Sequence, residues 1–524
     1  MAGFSKGIGP SARAAAILFI LIPWLAGQAC SGPQGAGTTP NDVTGTENTT
    51  LGSTTGSAGG DTSDTPTGDA TSTDNTGGNS SDPTTSPSVT VTHTIHVGSP
   101  LSGPSIRSLL GVNAGPLGTA FDTTALDLTS SYAQLGVNLV RTHDFFGPLD
   151  MATLYPDQSA DPSLESSYNF TASDTYYNAI LAGGFEPYLR LGDSASAASG
   201  YPAASPRAPV NVNHWVTAAV HVVQHYNDAA RWGRSPIRYV EIWNEPDSVS
   251  FWDSTRDGFV DLFSRTAIAL RTAYPGIRIG GPGFTQAAYS TTAGQGWVTA
   301  LLSYCQAHGT PLDFLSWHTY TNDPETMVTA AQWFRTQLDT YGYTSAESHI
   351  TEWNTDAISV RTTSPTDALA LRTGGRGAAI VTAAWIRLQE QGVQLSTFYR
   401  GRDPQFDHAE FYGLISGAGQ VKKDGLAFAL WSRLAAGYAT RLDATVATSS
   451  STVLYCLAGR STGGSTAILL ANPSDQSLGC RLSGLTGTVN VWQVSDASNA
   501  TEHSAASVDG FTLPAYSVQL VMTP

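Results

Sequence analysis

Tyr239-Val-Glu-Ile-Trp-Asn-Glu-Pro-Asp247 and His349-Ile-Thr-Glu-Trp-Asn354 decide how this chain is read. Each is a short apolar run that closes on a carboxylate, Glu245 in the first and Glu352 in the second. A buried strand ending in an unpaired charge is costly, so an acid there points to a use other than packing. Outward from these runs, residues 106–430 alternate strand-like with helical segments. The strand candidates are Leu110–Asn113, Val137–Thr142, Glu186–Leu191, Tyr239–Trp243, Ile277–Gly281, Phe314–Tyr320, His349–Trp353 and Leu395–Tyr399. Between them, Trp215, Ala219, Val222, Val223 and Tyr226 keep helical spacing, as do Met327, Ala330, Ala331, Phe334, Leu338 and Tyr341, and so do Phe259, Leu262, Phe263 and Leu270. Eight such units predict an α/β fold, a (β/α)8 TIM barrel, with functional residues at the C-terminal strand ends. An open doubly wound sheet is the rival arrangement. No Gly-rich phosphate loop follows an early strand, which counts against its nucleotide-binding forms.

Past Gly437 the pattern changes. Thr452–Leu457, Ser465–Ala471, Thr488–Val494 and Ala515–Met522 are short alternating runs divided by Gly, Ser and Asn, which predicts a C-terminal β-sandwich. The run Val89–Val97 alternates in the same way and has no place in a barrel, so it is a candidate to join that sandwich. Its histidines, His93 and His96, fall on opposite faces and are read as ordinary strand residues. The expected organisation is a leader over 1–29, a linker over 30–88, a barrel over 89–436 and a sandwich over 437–524.

The leader reading rests on Lys6 and Arg13 ahead of the apolar stretch Ala14–Ala26, which is too short to span a bilayer and is broken by Pro23. Small residues at Gly27 and Ala29 precede Cys30, an order that resembles a bacterial lipoprotein signal, with ordinary cleavage after Ala29 as the alternative. Cys30 is therefore the expected lipidation site, and the chain is expected to be exported and to meet a membrane only through that anchor. The linker is Thr, Ser, Gly, Asp, Asn and Pro with almost no apolar residue; it cannot bury enough surface to fold. As a flexible coil it would span on the order of 45 Å. A formal charge of −16 argues against a nucleic-acid partner, since phosphate binding needs a basic face. Of the remaining cysteines, Cys456 and Cys480 lie on neighbouring strand-like runs and are a candidate disulfide, while Cys305 reads as a buried free thiol. Their spacing fits no zinc pattern, and neither metal nor organic cofactor is expected.

Two acids at strand ends on opposite sides of a barrel mouth suit one reaction class. Retaining cleavage of a glycosidic bond needs one carboxylic acid to protonate the departing oxygen and one carboxylate to attack the anomeric carbon, about 5–5.5 Å away. At that distance each raises the other's proton affinity, so one stays protonated near neutrality. Asn244 can hydrogen-bond a sugar hydroxyl, and Trp243 and Trp353 beside the acids offer rings. Strict alternation would send Asn244 and Glu245 to opposite faces, so both reach one ligand only if the backbone leaves regular strand geometry there. Glu241 shares the parity of Glu245 one layer deeper and reads as a structural acid.

With Trp243-Asn-Glu-Pro246 on the fourth barrel strand and Thr351-Glu-Trp-Asn354 on the seventh, the chain resembles the large clan of retaining (β/α)8 glycosidases. Within it, Gly136-Val-Asn-Leu-Val-Arg-Thr-His143, Tyr168-Asn-Phe170, Gly184-Phe-Glu-Pro-Tyr188 and Phe314-Leu-Ser-Trp-His-Thr-Tyr320 resemble glycoside hydrolase family 39, the β-xylosidases and α-L-iduronidases. The likeness covers roughly residues 105–430. It implies Glu245 as general acid/base, Glu352 as nucleophile and Asn244 on the hydroxyl beside the anomeric carbon. It also implies Tyr320 as a hydrogen-bond donor to the nucleophile, with His318 and His143 around the sugar, and a carbohydrate substrate; Trp353, beside the nucleophile, is a further substrate-binding candidate. The chain departs from the family at Asp144-Phe-Phe-Gly147, where a Gly-rich stretch is usual, and at Phe398-Tyr-Arg-Gly-Arg402. There Arg400 or Arg402 could meet a carboxylated sugar or instead pair with Asp403 or Asp407. A glycan-binding surface protein without catalysis is the rival from another class, and its mark would be the loss of one of the two acids.

Overall fold

The computed structural model describes residues 89–103, 105–118, 126–143, 147–194, 208–356, 370–403 and 412–524. The leader, Cys30, the 30–88 linker, Asp144 to Phe146 and Asp407 lie outside the described residues.

Eight parallel strands close a barrel in chain order: β2 (Gly111–Asn113), β3 (Leu139–Arg141), β4 (Glu186–Leu191), β5 (Tyr239–Ile242), β6 (Arg278–Phe284), β7 (Phe314–Tyr320), β8 (Glu347–Asn354) and β9 (Leu395–Phe398). Each corresponds to one of the runs expected from sequence. The helical stripes fold as Val212–Tyr226, Arg256–Ala273 and Glu325–Thr340, with their apolar residues buried against the strands. Asn211 and Thr255 begin the first two by accepting backbone N–H bonds, which satisfies donors that a helix start leaves open. Inside the barrel, Leu139, Tyr188, Tyr239 and Phe314 plug the N-terminal end. The layers above the plug are polar, and they carry the site.

The C-terminal region is a nine-stranded sheet in the order β15-β14-β17-β12-β11-β10-β1-β13-β16. The strands are β1 (His93–Pro100), β10 (Thr440–Thr448), β11 (Tyr455–Arg460), β12 (Thr466–Asn472), β13 (Leu478–Ser483), β14 (Thr488–Ser495), β15 (Ser498–Ser507), β16 (Phe511–Leu513) and β17 (Ser517–Met522). The sheet curls over one apolar core, to which Ile95, Leu442, Ile468, Leu482, Val491, Leu513 and Val521 all contribute. β1 sits between β10 and β13, so the start of the described chain is built into the C-terminal sheet. His93 is buried with Nε2 3.0 Å from the Thr452 carbonyl, while His96 faces solvent.

The disulfide expected between Cys456 and Cys480 does not form: both are free thiols. Cys456 is on β11 and Cys480 on β13, with β10 and β1 between them. Three interstrand steps amount to about 14 Å along the sheet, twice the reach of a disulfide. The sequence runs that look adjacent are separated by the insertion of β1 from the far end of the chain. Cys305 is a buried free thiol.

The helix Gly375–Glu390 joins barrel to sheet and is buried on almost every face. Its alanines let both layers approach. Trp385 meets Trp353 and Phe398 on the barrel side and Phe428 and Trp431 on the neighbouring helix Lys423–Gly437.

Candidate active site

Regular geometry in β5 stops at Ile242, and Trp243 and Glu245 then adopt left-handed φ angles of 82° and 47°. Such angles in non-glycine residues cost about 1–3 kcal/mol each. Bonds from the Glu245 N–H to the Gly283 and Pro282 carbonyls, at 3.0 and 3.2 Å, hold the turn. The twist answers the parity problem: Trp243 swings outward while Asn244 and Glu245 both face the barrel axis. Trp243 is fully buried among Trp215, Trp252 and Phe259 and donates to the Phe251 carbonyl, so its ring is core and offers a ligand nothing.

A second irregularity serves Glu352. Pairing between β7 and β8 slips between Trp317 and His318, leaving Thr351 as an extra residue on β8. This bulge lets Thr351 and Glu352 both reach the interior and redirects the strand beyond them. Trp353 is thereby turned out of the barrel, where it packs edge-on against Trp385 and Phe398 and donates to Ser396 Oγ. The substrate-binding role expected for Trp353 is therefore corrected: it is a fully buried core residue.

The other expected residues converge. One carboxylate oxygen each of Glu245 and Glu352 lie within 4.8 Å of one another, with His318 Nδ1 inside the same span. His318 Nδ1 is 2.7 Å from Glu245 Oε1 and 3.7 Å from Glu352 Oε2. Tyr320 donates to Glu352 Oε2 at 2.9 Å, and His143 Nε2 lies 3.4 Å from Glu352 Oε1. Asn244 accepts from Arg141 through Oδ1 at 2.6 Å, and its Nδ2 is buried without a protein partner. Arg400 is buried on the segment after β9, close enough to His143 for its charge to oppose protonation of that ring. Asp403, one of the acids weighed as its partner, is instead bound by Lys422 Nζ at 2.6 Å. Arg402 donates to the Leu126 carbonyl.

Arg141 organises the floor of this cluster. Its Nε meets Glu241 Oε2 at 2.6 Å, Nη1 reaches Glu352 Oε1 at 2.9 Å and Asn113 Oδ1 at 3.0 Å, and Nη2 reaches Asn244 Oδ1. Burial works against its charge, but Glu241 and Glu352 together raise the guanidinium's proton affinity above the ordinary value. Glu241 is the structural acid anticipated, fully buried and also accepting from Ser316 and Thr351. Arg141 was not singled out in the sequence, although the signal was there. It lies two residues before His143 in Leu139-Val-Arg-Thr-His143, so strand alternation points both inward. Gly283, at φ +66°, makes room for the cluster: a Cβ there would stand 2.9 Å from His318 Nε2.

Burial pushes Glu245 up to about 7, with Arg141 opposing the shift. His318 is driven down to about 4, first by burial, with Glu352 pulling the other way. His143 falls well below its ordinary value through burial and the charges of Arg190, Arg141 and Arg400. Near neutrality the site thus holds a carboxyl poised to keep its proton and two neutral imidazoles. Glu245, His318 and Glu352 are the one group of metal-type ligands among the described residues, yet Arg141 and Tyr320 already occupy the two oxygens of Glu352. Arg141 thus supplies positive charge beside Glu352.

Comparison with known proteins agrees with this geometry. Residues 111–339 match the model of glycosyl hydrolases family 39. A β-xylosidase of Geobacillus stearothermophilus is 28% identical over 272 residues, 47% of this chain and 52% of that protein. A β-xylosidase of Caldicellulosiruptor saccharolyticus is 27% identical over 222 residues, 40% of this chain and 42% of that protein. The chain thus spans about half the length of the curated relatives it matches. Among solved structures, a glucosidase from Croceicoccus marinus superposes with a TM-score of 0.66 at 20% identity, covering 83% of this chain and 99% of that one. A monomeric β-xylosidase from Caulobacter crescentus gives 0.62 at 20% identity, over 82% and 99%. At those identities the superpositions speak for the fold, a barrel with its trailing sheet. Motifs, fold and family model together liken the barrel of this chain to glycoside hydrolase family 39.

Proposed function

We propose that this protein is a retaining glycosidase that cleaves O-glycosidic bonds of oligo- or polysaccharide by double displacement, with β-xylosidase-like or related specificity. The observation that carries the reading is the pair Glu245 and Glu352. One oxygen of each lies within 4.8 Å of the other's, on the scale of the short class of carboxyl pairs that retaining enzymes use. In the first step Glu352 attacks the anomeric carbon while Glu245 protonates the departing oxygen. In the second, Glu245 takes a proton from water, which displaces Glu352 and releases the sugar with its configuration retained. Arg141 and Tyr320 hold the two oxygens of Glu352 in fixed directions, so little reorganisation accompanies attack. Asn244 Nδ2 is the donor left open for the hydroxyl next to the anomeric carbon, a bond that tightens as positive charge develops on the ring. No step calls for a metal or an organic cofactor.

The specificity reading rests on the β-xylosidases among the relatives. The position of Arg400 beside His143 keeps a carboxylated sugar within the same test. A panel of aryl xyloside, arabinoside, glucoside, galactoside and iduronide, run beside intact polysaccharides, decides it. Release of aryl alcohol from one sugar class supports hydrolysis and names the sugar. Saccharide binding without release from any of them returns the non-catalytic reading. Export and anchoring through Cys30 belong to the same proposal, with an extracellular glycan as substrate; mass spectrometry of the mature N-terminus checks them.

A further inference from the structure

We propose that Thr351 and Glu241 are positioning residues that fix the tautomer of His318 and thereby keep a proton on Glu245. The argument is a count of hydrogens along one chain of contacts. Glu241 Oε2 is taken by Arg141 Nε at 2.6 Å, and Oε1 accepts from Ser316 Oγ at 2.6 Å and Thr351 Oγ1 at 2.9 Å. A carboxylate only accepts, so the single hydroxyl hydrogen of Thr351 is spent on Glu241. Ser316 likewise gives its hydrogen to Glu241, while its oxygen accepts from the Gly283 N–H at 2.7 Å. Towards His318 Nε2, 3.2 Å away, Thr351 can then only accept, and Nε2 must carry the ring hydrogen. A neutral ring protonated at Nε2 presents a bare lone pair at Nδ1. Nδ1 is 2.7 Å from Glu245 Oε1, a hydrogen-bond distance, and the hydrogen between them can come only from Glu245.

The direction of the wire therefore selects the acid form of Glu245. Once the proton has gone to a leaving group, the Glu245 carboxylate faces the Nδ1 lone pair, an unfavourable contact that makes it a stronger base for the second step. The charged and titratable groups that face Glu245 are His318 and Tyr320 from β7, Glu352 from β8, Arg141 from β3 and Asp247 just beyond β5. Arg141 favours the ionised form, while Glu352 and Asp247 favour the protonated one. His318 is the only one of them in hydrogen-bond contact with Glu245, and Thr351 is how Glu241 reaches it.

This inference rests on Glu245 as the proton donor, yet its first test needs no turnover. In the full-length protein labelled with 15N-histidine, the His318 ring is assigned by its loss in His318→Gln. The expected spectrum between about pH 5 and 8 is the neutral Nε2–H tautomer. Thr351→Val removes the acceptor and should let Nδ1–H compete. That tautomer donates to the Glu245 carboxylate and favours ionisation, so the alkaline limb of kcat/KM should move down by about one pH unit, tenfold lower activity above the limb. Thr351→Ser should restore both readouts, which a merely structural loss would not do. A wild-type ring protonated at Nδ1 overturns the proposal, whether or not Thr351→Val folds. So does a folded Thr351→Val with unchanged tautomer and unchanged limb. An Nε2–H ring in a protein that hydrolyses no glycoside would uphold the tautomer and overturn the proton-donor reading.

Discussion

Two acid–histidine pairs of the barrel, Glu245–His318 at the C-terminal mouth and Glu347–His349 at the N-terminal floor, are finished in opposite ways. At the floor, Glu347 Oε2 meets His349 Nε2 at 2.9 Å and Tyr239 OH at 3.2 Å, and Arg278 reaches Oε1 at 3.2 Å. His349 Nδ1 is closed by Tyr188 OH at 3.1 Å. Burial alone would raise Glu347, but the bond from His349 and the charge of Arg278 outweigh it, and the acid sits below its ordinary value. At the mouth, Glu245 meets His318 at a similar distance, burial wins, and the acid rises to about 7. Around it Asn244 Nδ2, His143 Nδ1 and Arg190 Nε and Nη1 are buried without protein partners. Native structures leave few such groups unsatisfied. The same pair of residue types differs in what governs the acid: at the floor the histidine bond and an arginine favour the carboxylate, while at the mouth burial favours the proton.

That contrast can be broken by experiment, first at the mouth. Glu352→Gln should lower kcat by about 10⁴-fold or more while near-ultraviolet circular dichroism reports an intact fold. Glu245→Ala should lose about 10²–10⁴-fold on substrates with poor leaving groups, where proton donation matters most. It should keep most of its rate on activated aryl glycosides, and added azide should yield a glycosyl azide of retained configuration. The pH profile sharpens the comparison. In the proposed mechanism Glu245 acts protonated in the first step, and it is raised to about 7, so kcat/KM should fall as pH rises through about 7. Glu245→Gln should remove that limb. At the floor the expectation reverses. Tyr188→Phe leaves His349 Nδ1 buried and unmatched, costing about 1–3 kcal/mol in urea unfolding, with kcat/KM changed by less than about twofold. A floor variant that lost activity without losing stability would remove the distinction between the two pairs.

Much of this was legible in the sequence because both acids sit where local pattern is strong. Eight strand runs, the helical stripes around Trp215 and Met327, and the convergence of Glu245, Glu352, His143, His318 and Tyr320 at strand ends follow from periodicity and motif. What was missed has physical causes. Trp243 and Trp353 look like stacking platforms because they adjoin the acids, yet a left-handed turn and a bulge send them into the core, and neither irregularity writes a signal in residue type. Arg141 was hidden inside an apolar strand, where a charged residue has meaning only once its partners on β5 and β8 are known. β15 escaped because an exposed edge strand, Ser498–Ser507, has no buried face to impose alternation. The Cys456–Cys480 pairing failed for a topological reason, since β1 enters the sheet from the other end of the chain.

The most direct test of the central claim is to trap the protein between the two proposed steps. A 2-deoxy-2-fluoro glycoside with a dinitrophenyl leaving group, of the sugar the aryl panel identifies, slows both steps and the second more. Peptide mass spectrometry should then find one sugar esterified to the segment carrying His349-Ile-Thr-Glu-Trp-Asn354, at Glu352. An adduct on Glu245 or any other residue would contradict the account, and so would turnover of the same sugar with inverted configuration and no adduct.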